Sequence, residues 1–196
     1  MATSQRPAGR FIWLSLVVLL AIIAYAVFRP GKPRPQTQDS LITEPLYSGP
    51  KKEVIPNPVQ TKTLADSTVV WILDKDATIQ PAAGYPRQRE AKVDGDMYIE
   101  VNKDSGPLVL KSRLLVMTVM SKASFRVIAW AKEAGEEVQV LSGTLKVAPN
   151  YKSQFNAPDT LKANQMVMIN KDIDMMEKEK FDAAALGAWS KKLVRP

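Results

Sequence analysis

The 196-residue chain contains no cysteine and no histidine. No disulfide can brace it, so its cysteine usage says nothing about the redox state of its compartment. Cys–His and Ser–His–Asp catalysis are excluded, as is a zinc site of the usual Cys/His kind. Any metal would need oxygen ligands alone. Negative charge is missing from the start of the chain. No acid precedes Asp39, whereas Arg6, Arg10, Arg29, Lys32 and Arg34 do. The net charge of +7 therefore belongs largely to this stretch, because the rest carries 22 basic residues against 20 acidic ones. A near-neutral remainder lacks the basic footprint of a nucleic-acid binder, so no nucleic-acid partner is expected. There is no GxSxG elbow and no phosphate-cradling glycine loop. The sequence predicts no enzyme and no catalytic, cofactor-binding or metal-binding residue.

Residues 11–28, FIWLSLVVLLAIIAYAVF, form an apolar run without a charge. As a helix they span about 27 Å, close to the thickness of a bilayer core. Trp13 and Tyr25 lie near its ends, where amphipathic rings favour the interface. The competing reading is a cleaved signal peptide, with Arg6 and Arg10 as its basic region and residues 24–26 as an A-x-A-like site. A basic flank after the run favours a retained anchor. Both readings export the C-terminal part of the chain, since a long domain translocates largely regardless of flanking charge. The expectation is a single-pass inner-membrane protein. Residues 1–10 form a short cytoplasmic tail, 11–28 the transmembrane helix, and the C-terminal domain lies in the periplasm.

Residues 29–58 hold seven of the fourteen prolines. Proline fixes φ and lacks an N–H, so this segment reads as a semi-extended tether. Residues 59–170 then show short apolar runs separated by turns. Residues 69–73 (VVWIL) are β-branched and aromatic. Met97, Ile99 and Val101 alternate with Tyr98 and Glu100, the period of a half-buried strand. Residues 114–120 read as a central strand, and 125–130, 138–141, 144–147 and 166–169 continue the series. Asp94-Gly95 suits a type I′ hairpin, and Ser142-Gly143 suits a second. Strands at this spacing with no helix between them predict an all-β domain, an antiparallel two-sheet sandwich or barrel.

Residues 171–196 are expected to form a C-terminal helix and tail. Asp174 and Glu177 have capping-box spacing, and Phe181, Ala185, Trp189 and Leu193 recur every four residues as one stripe. That stripe either packs on the sheet or offers a docking face to a partner helix. Three polar clusters stand out as possible chemical sites. Asn170, Asp172 and Asp174 alternate like the start of a calcium loop, but Met175 stands at the glycine position and Phe181 at the position of the closing glutamate. Asp74, Asp76 and Thr78 read as a solvated turn. Asp94 and Asp96 are paired acids on one turn, with no further group to give them distinct roles.

Three stretches resemble the FecR family of transmembrane signalling regulators of Gram-negative bacteria. Residues 63–72 (TLADSTVVWI) are similar to its "L-P-D-G-S-x-V-x-L" opening. Residues 93–101 (VDGDMYIEV), with 107–110 (PLVL), are similar to "V-x-G-E-A-Y-F-E-V" and "P-F-x-V". Residues 138–147 (VQVLSGTLKV) are similar to "V-x-L-x-x-G-x-V-x-V", and 161–167 to a trailing "L-x-P-G-Q-x-V". Ser67 replaces the opening glycine, and residues 121–127 lack the family's Gly-Thr. The resemblance implies an exported β domain in a cell-surface signalling system. The implied partner is an outer-membrane receptor or another membrane regulator, and no catalytic residue comes with the family. Ten residues before the span leave no room for the family's cytoplasmic anti-sigma domain. The chain also stops about where its C-terminal secretin/TonB-type short domain begins. The expected function is therefore a non-enzymatic, membrane-anchored module acting by protein–protein contact. An anchored envelope binding or structural protein with a glycan or peptidoglycan ligand is the alternative.

Overall fold

The computed structural model describes residues 54–102, 106–154 and 156–196. The apolar run at 11–28 and all but the last residues of the proline-rich tether lie outside them. Among the described residues no helix is long and apolar enough to cross a membrane. The described residues form twelve strands: β1 (Gln60–Thr63), β2 (Val69–Ile72), β3 (Thr78–Pro81), β4 (Glu90–Val101), β5 (Leu108–Lys111), β6 (Leu115–Val119), β7 (Ala123–Ala129), β8 (Gly135–Ser142), β9 (Thr144–Pro149), β10 (Asp159–Lys162), β11 (Gln165–Asn170) and β12 (Met175–Lys180). A single short helix, α1 (Ala184–Ser190), comes after them.

The strands form two sheets that share β4. The first runs β1-β2-β4-β7-β8-β11-β12. The second runs β3-β4-β5-β6-β9-β10. On the far side Lys178 of β12 reaches Asp159 of β10 at 2.8 Å, which brings the free sheet edges together into a nearly closed, barrel-like domain. The all-β expectation holds, with one qualification: β5 pairs with β4 in parallel, Glu90 beside Val109.

Alternation explains the core. Val70, Ile72, Met97, Ile99, Phe125, Val127, Val138 and Val140 point inward from the first sheet; Leu108, Leu110, Leu115, Met117, Leu145, Val147 and Leu161 meet them from the second. Each fully buried side chain of this size contributes roughly 1.5–3 kcal/mol. Residues 97–101 are buried on both faces rather than half-buried, because Tyr98 lies in a second apolar cluster outside the first sheet.

Both expected hairpins are corrected. β4 passes straight through Asp94-Gly95, pairing with β3 up to Asp94 and with β7 from Gly95 onward. The inward side chains Ala91, Val93, Met97, Ile99 and Val101 keep one phase throughout, so the strand changes sheets without turning back. Gly95 sits at this corner with φ +104°. A Cβ there would lie 2.3 Å from the Ala77 Cβ. At Ser142-Gly143 the chain crosses from one sheet to the other, since β8 lies between β7 and β11, and β9 between β6 and β10.

The helix expected from Asp174 is also corrected. Residues 175–180 form edge strand β12, with Met176 packed on the core. Their Met/Glu/Lys composition favours a helix, but alternation supplies a sheet partner and tertiary pairing overrides propensity. Asp174, with φ +44°, caps no helix; Asp182 accepts the Ala184 N–H at 3.0 Å near the true helix start.

Candidate functional site

Three places bring polar chemistry or exposed apolar surface together: the C-terminal clasp, a polar groove, and the outer faces of the sheets.

The clasp covers the outside of β2 and β4. Even-odd alternation places Val69, Trp71 and Leu73 of residues 69–73 on that face, with Tyr98 beside them. Helix α1 lies over these side chains. The Trp71 and Tyr98 rings are tilted with centroids 5.7 Å apart, and Trp189 meets Tyr98 edge-on at 5.4 Å. Such aromatic pairs add about 0.5–1.5 kcal/mol beyond buried area. Four hydrogen bonds from three side chains fasten the ends. Trp71 Nε1 donates to the Val194 carbonyl at 3.4 Å. Trp189 Nε1 donates to the Pro56 carbonyl at 3.1 Å. Arg195 grips Glu100 through Nη2 at 2.8 Å and Nε at 3.2 Å. Burial pushes the Tyr98 phenol up, and hydrogen bonds with Ser124 and Ser190 act against that shift. The Glu100 carboxylate raises Arg195 further above its usual value. Beside the clasp a groove of about 310 Å³ is lined by Asn57, Pro58, Thr61, Trp71, Trp189 and Lys192.

This geometry decides between the two readings of the C-terminal stripe. Phe181, Trp189 and Leu193 pack on the sheet, whereas Ala185 is exposed and Leu186 and Ser190 are buried instead. The stripe is a packing face.

The polar groove, of about 400 Å³, lies on the outside of the second sheet among Gln80, Lys92, Asp94, Lys111, Arg113 and Asn150. Lys111 pairs with Glu90 at 2.8 Å. Asp94 accepts the Ala131 N–H at 2.9 Å, Asn150 donates to the Ser112 carbonyl at 2.7 Å, and Arg113 donates to the Glu133 carbonyl. Both donors and acceptors line it, and no aromatic ring does.

The three polar clusters singled out by sequence do not converge. Asp94 faces this groove, while Asp96 makes a two-pronged pair with Arg126 at 2.8 and 2.9 Å outside the first sheet. Their side chains are 5% (Arg126) and 13% (Asp96) exposed, so Asp96 is not a solvated turn acid. Asp74 accepts the Asp76 N–H at 2.9 Å, which closes an exposed turn. Asn170 accepts from Asp172 N, but Asp174 is committed to the 151–156 loop. It accepts from Tyr151 Oη at 3.0 Å, Gln154 N at 2.8 Å and Asn156 Nδ2 at 3.1 Å. Among the described residues no three His, Cys, Asp or Glu side chains converge as a metal site.

Two buried ionic features escaped the sequence. The Asp66 carboxylate accepts Arg89 Nε and Nη2 at 2.8 and 2.6 Å and both Thr68 donors at 2.9 Å. Burial alone would raise Asp66; the nearby Tyr85 hydroxyl and the donors of Thr68 and Arg89 outweigh it and hold the carboxyl below its usual value. Glu136 is buried against Ser112 and the Leu114 N–H. Partners more than twenty residues apart, such as Asp66 and Arg89, leave no periodic mark in a sequence.

No protein-family model and no curated protein matches the chain. Two crystal structures of a candidate anti-sigma factor from Parabacteroides distasonis, at 1.65 and 2.50 Å, superpose with TM-scores of 0.58 and 0.54. This chain shares their fold. The identity is 23% in each case, over 71% of this chain and 64% of the other. The chain thus spans just under two thirds of the length of those neighbours.

Proposed function

We propose that the chain is a FecR-like module anchored by residues 11–28 in the inner membrane, with its β domain in the periplasm. It carries out no reaction and acts by protein–protein contact in envelope or transmembrane signalling. The observation that carries this reading is the fold shared with a candidate anti-sigma factor over 71% of the chain. The motif order at residues 63–72, 93–101 and 138–147 supports it. The contact site we favour is the groove beside Trp189, where the chain enters the domain at Pro56 and leaves it at Arg195. A partner seated there touches both ends of the domain at once. Its expected class is an outer-membrane receptor or another membrane regulator. The test is a photo-crosslinking residue placed at Thr61 or Lys192 in the cell envelope. Recovery of one such envelope protein supports the reading; repeated recovery of none rejects it.

The polar groove favours a second reading, an anchored envelope protein that binds glycan or peptidoglycan. Gln80, Lys92, Asp94 and Asn150 offer the mixed donors and acceptors that a sugar needs. Full-length protein in detergent, incubated with isolated cell wall, separates the two. Retention that is lost in Lys92→Glu favours this reading, and absence of retention removes it.

A further inference from the structure

We infer that copies of this chain stack side by side, the acidic methionine-bearing face of one domain docking on the lysine face of the next. The near-neutral charge of the domain hides a separation of sign between its two outer sheet faces.

On the outside of the first sheet, cross-strand register builds a row. Ile128 of β7 lies opposite Glu137 of β8, Glu137 opposite Met168 of β11, and Met168 opposite Glu177 of β12. In the next row Met166 lies opposite Glu179. Two cations of this face are engaged within it, Arg126 by Asp96 and Arg195 by Glu100. Met168 and Met175 are 37% and 44% exposed, and with Ile128 they wall a cavity of about 350 Å³ rimmed by Glu133 and Glu137. Exposed methionine is unusual on a surface that contacts nothing, and its flexible thioether suits an adaptable contact.

The outside of the second sheet has the opposite character. Lys92 of β4 lies beside Lys111 of β5. Lys146 of β9 lies between Thr118 and Thr160, and Lys162 lies opposite Thr144. Glu90 offsets Lys111 and Asp94 shares the groove with Lys92 and Arg113; Lys92, Lys146 and Lys162 are exposed, so the face keeps an excess of positive charge. Helix α1 covers the first face only at Val69, Trp71, Tyr98 and Leu141, and Ile128, Glu137, Met168 and Glu177 are not part of that cluster.

A second copy is the occupant the surface itself specifies. Both faces are sheets, so both carry side-chain rows at the same strand spacing of about 4.8 Å, and stacked sheets settle about 10 Å apart. Glutamates two strands apart, with Met168 between them, meet lysines set among threonines. The contact uses two different patches, so it is heterologous and repeats along a row of copies rather than closing a two-fold dimer. It is also electrostatic and exposed, hence sensitive to salt.

The test uses the full chain in detergent micelles, as a mixture of isotopically light and heavy copies treated with a carbodiimide that joins lysine to glutamate. The expected result is a ladder of multimers at low salt, with light–heavy links from Lys92 or Lys146 to Glu177 or Glu179. The ladder should fall several-fold at about 0.5 M salt, where screening acts within a few ångströms. Lys92→Glu with Lys146→Glu makes both faces negative, and Glu177→Lys with Glu179→Lys makes both positive. Each double variant alone should lose the ladder, and mixing the two should restore it. A folding defect cannot produce that restoration. Absence of light–heavy links in the unaltered chain, a ladder that survives either double variant, or a mixture that stays monomeric would overturn the inference. So would links from these faces to a different envelope protein alone.

Discussion

Trp189, in the helix at the end of the chain, donates its indole N–H to the carbonyl oxygen of Pro56 at 3.1 Å, 133 residues earlier. The same ring meets Tyr98 edge-on. One side chain therefore holds the segment entering the domain, the helix leaving it, and the outer face of β4. Trp189→Ala removes all three contacts. Trp189 is half-buried, so the expected cost is about 2–3 kcal/mol, just under the range for a fully buried aromatic. Trp189→Phe keeps the ring and loses the donor, at about 1 kcal/mol. Urea unfolding reads both, and limited proteolysis should show earlier cutting near Pro56 in the alanine variant. Equal stability of alanine variant and parent would show that the clasp holds nothing.

Asp66 and Arg89 make the second prediction. Both side chains are almost wholly buried, 3% and 4% exposed, so removing one partner strands the other charge away from water. Arg89→Met should cost about 3–5 kcal/mol. The double variant Asp66→Asn, Arg89→Met should lose less than the sum of the single losses, because no charge is left uncompensated. The pH sign follows from the lowered Asp66 carboxyl. Its contribution is present above the ordinary value of 3.8 and is lost as pH falls through the lower folded value. Unfolding of the parent should therefore steepen on acidification below about pH 4, and Asp66→Asn should lack that limb. Parallel acid curves for the two proteins would refute the assignment.

The readable parts of this fold are those carried by local periodicity. Strand 69–72 is legible from its β-branched and aromatic run, and 97–101 from apolar residues at every second position, although both turn out buried on both faces; 166–169 stands out as a short apolar run. Topology is less so. A strand that crosses from one sheet to another shows the same Asp-Gly signature as a hairpin, and what distinguishes them is the phase of the apolar residues on either side. In β4 that phase is unbroken from Ala91 to Val101, a signal present in the sequence that points to continuity. At β12, Glu and Lys favour a helix, and only the free edge of β11 converts them to strand. The long-range partners Glu100–Arg195, Trp71–Val194 and Asp66–Arg89 leave no trace in spacing, since each depends on where the finished sheets put its ends.

Gly95 follows from that continuity. Its φ of +104° and the 2.3 Å gap to Ala77 combine backbone strain with a steric clash against main-chain-proximal atoms that cannot swing away. Gly95→Ala should cost roughly 3 kcal/mol or more. Gly106→Ala is the matched control. Its φ is +85°, but nothing lies within 4 Å of an added Cβ, so only backbone strain of about 1–2 kcal/mol remains. Melting temperatures of the two variants should separate clearly. Equal losses would mean that the corner relaxes and that packing against Ala77 is not what selects glycine.

Glu136 gives the opposite pH sign to Asp66. The residue is 4% exposed, and burial raises its carboxyl; hydrogen bonds from Ser112 and the Leu114 N–H pull it back without cancelling the effect. A carboxyl whose folded value is raised stabilises the fold fully below its ordinary value of 4.5, and that contribution is lost as pH rises through the folded value. Above that value burial of the carboxylate counts against the fold. Glu136→Gln keeps an acceptor for the Leu114 N–H and removes the titration. Relative to the parent, the glutamine variant should gain stability as pH rises from about 4.5 to the raised folded value of Glu136, and should keep that advantage above it. Urea midpoints across that range measure the gap. A gap that does not change with pH, or one that closes as pH rises, would show that Glu136 stays solvated enough to ionise freely, and the buried Ser112–Glu136–Leu114 arrangement would then need a water that reaches it.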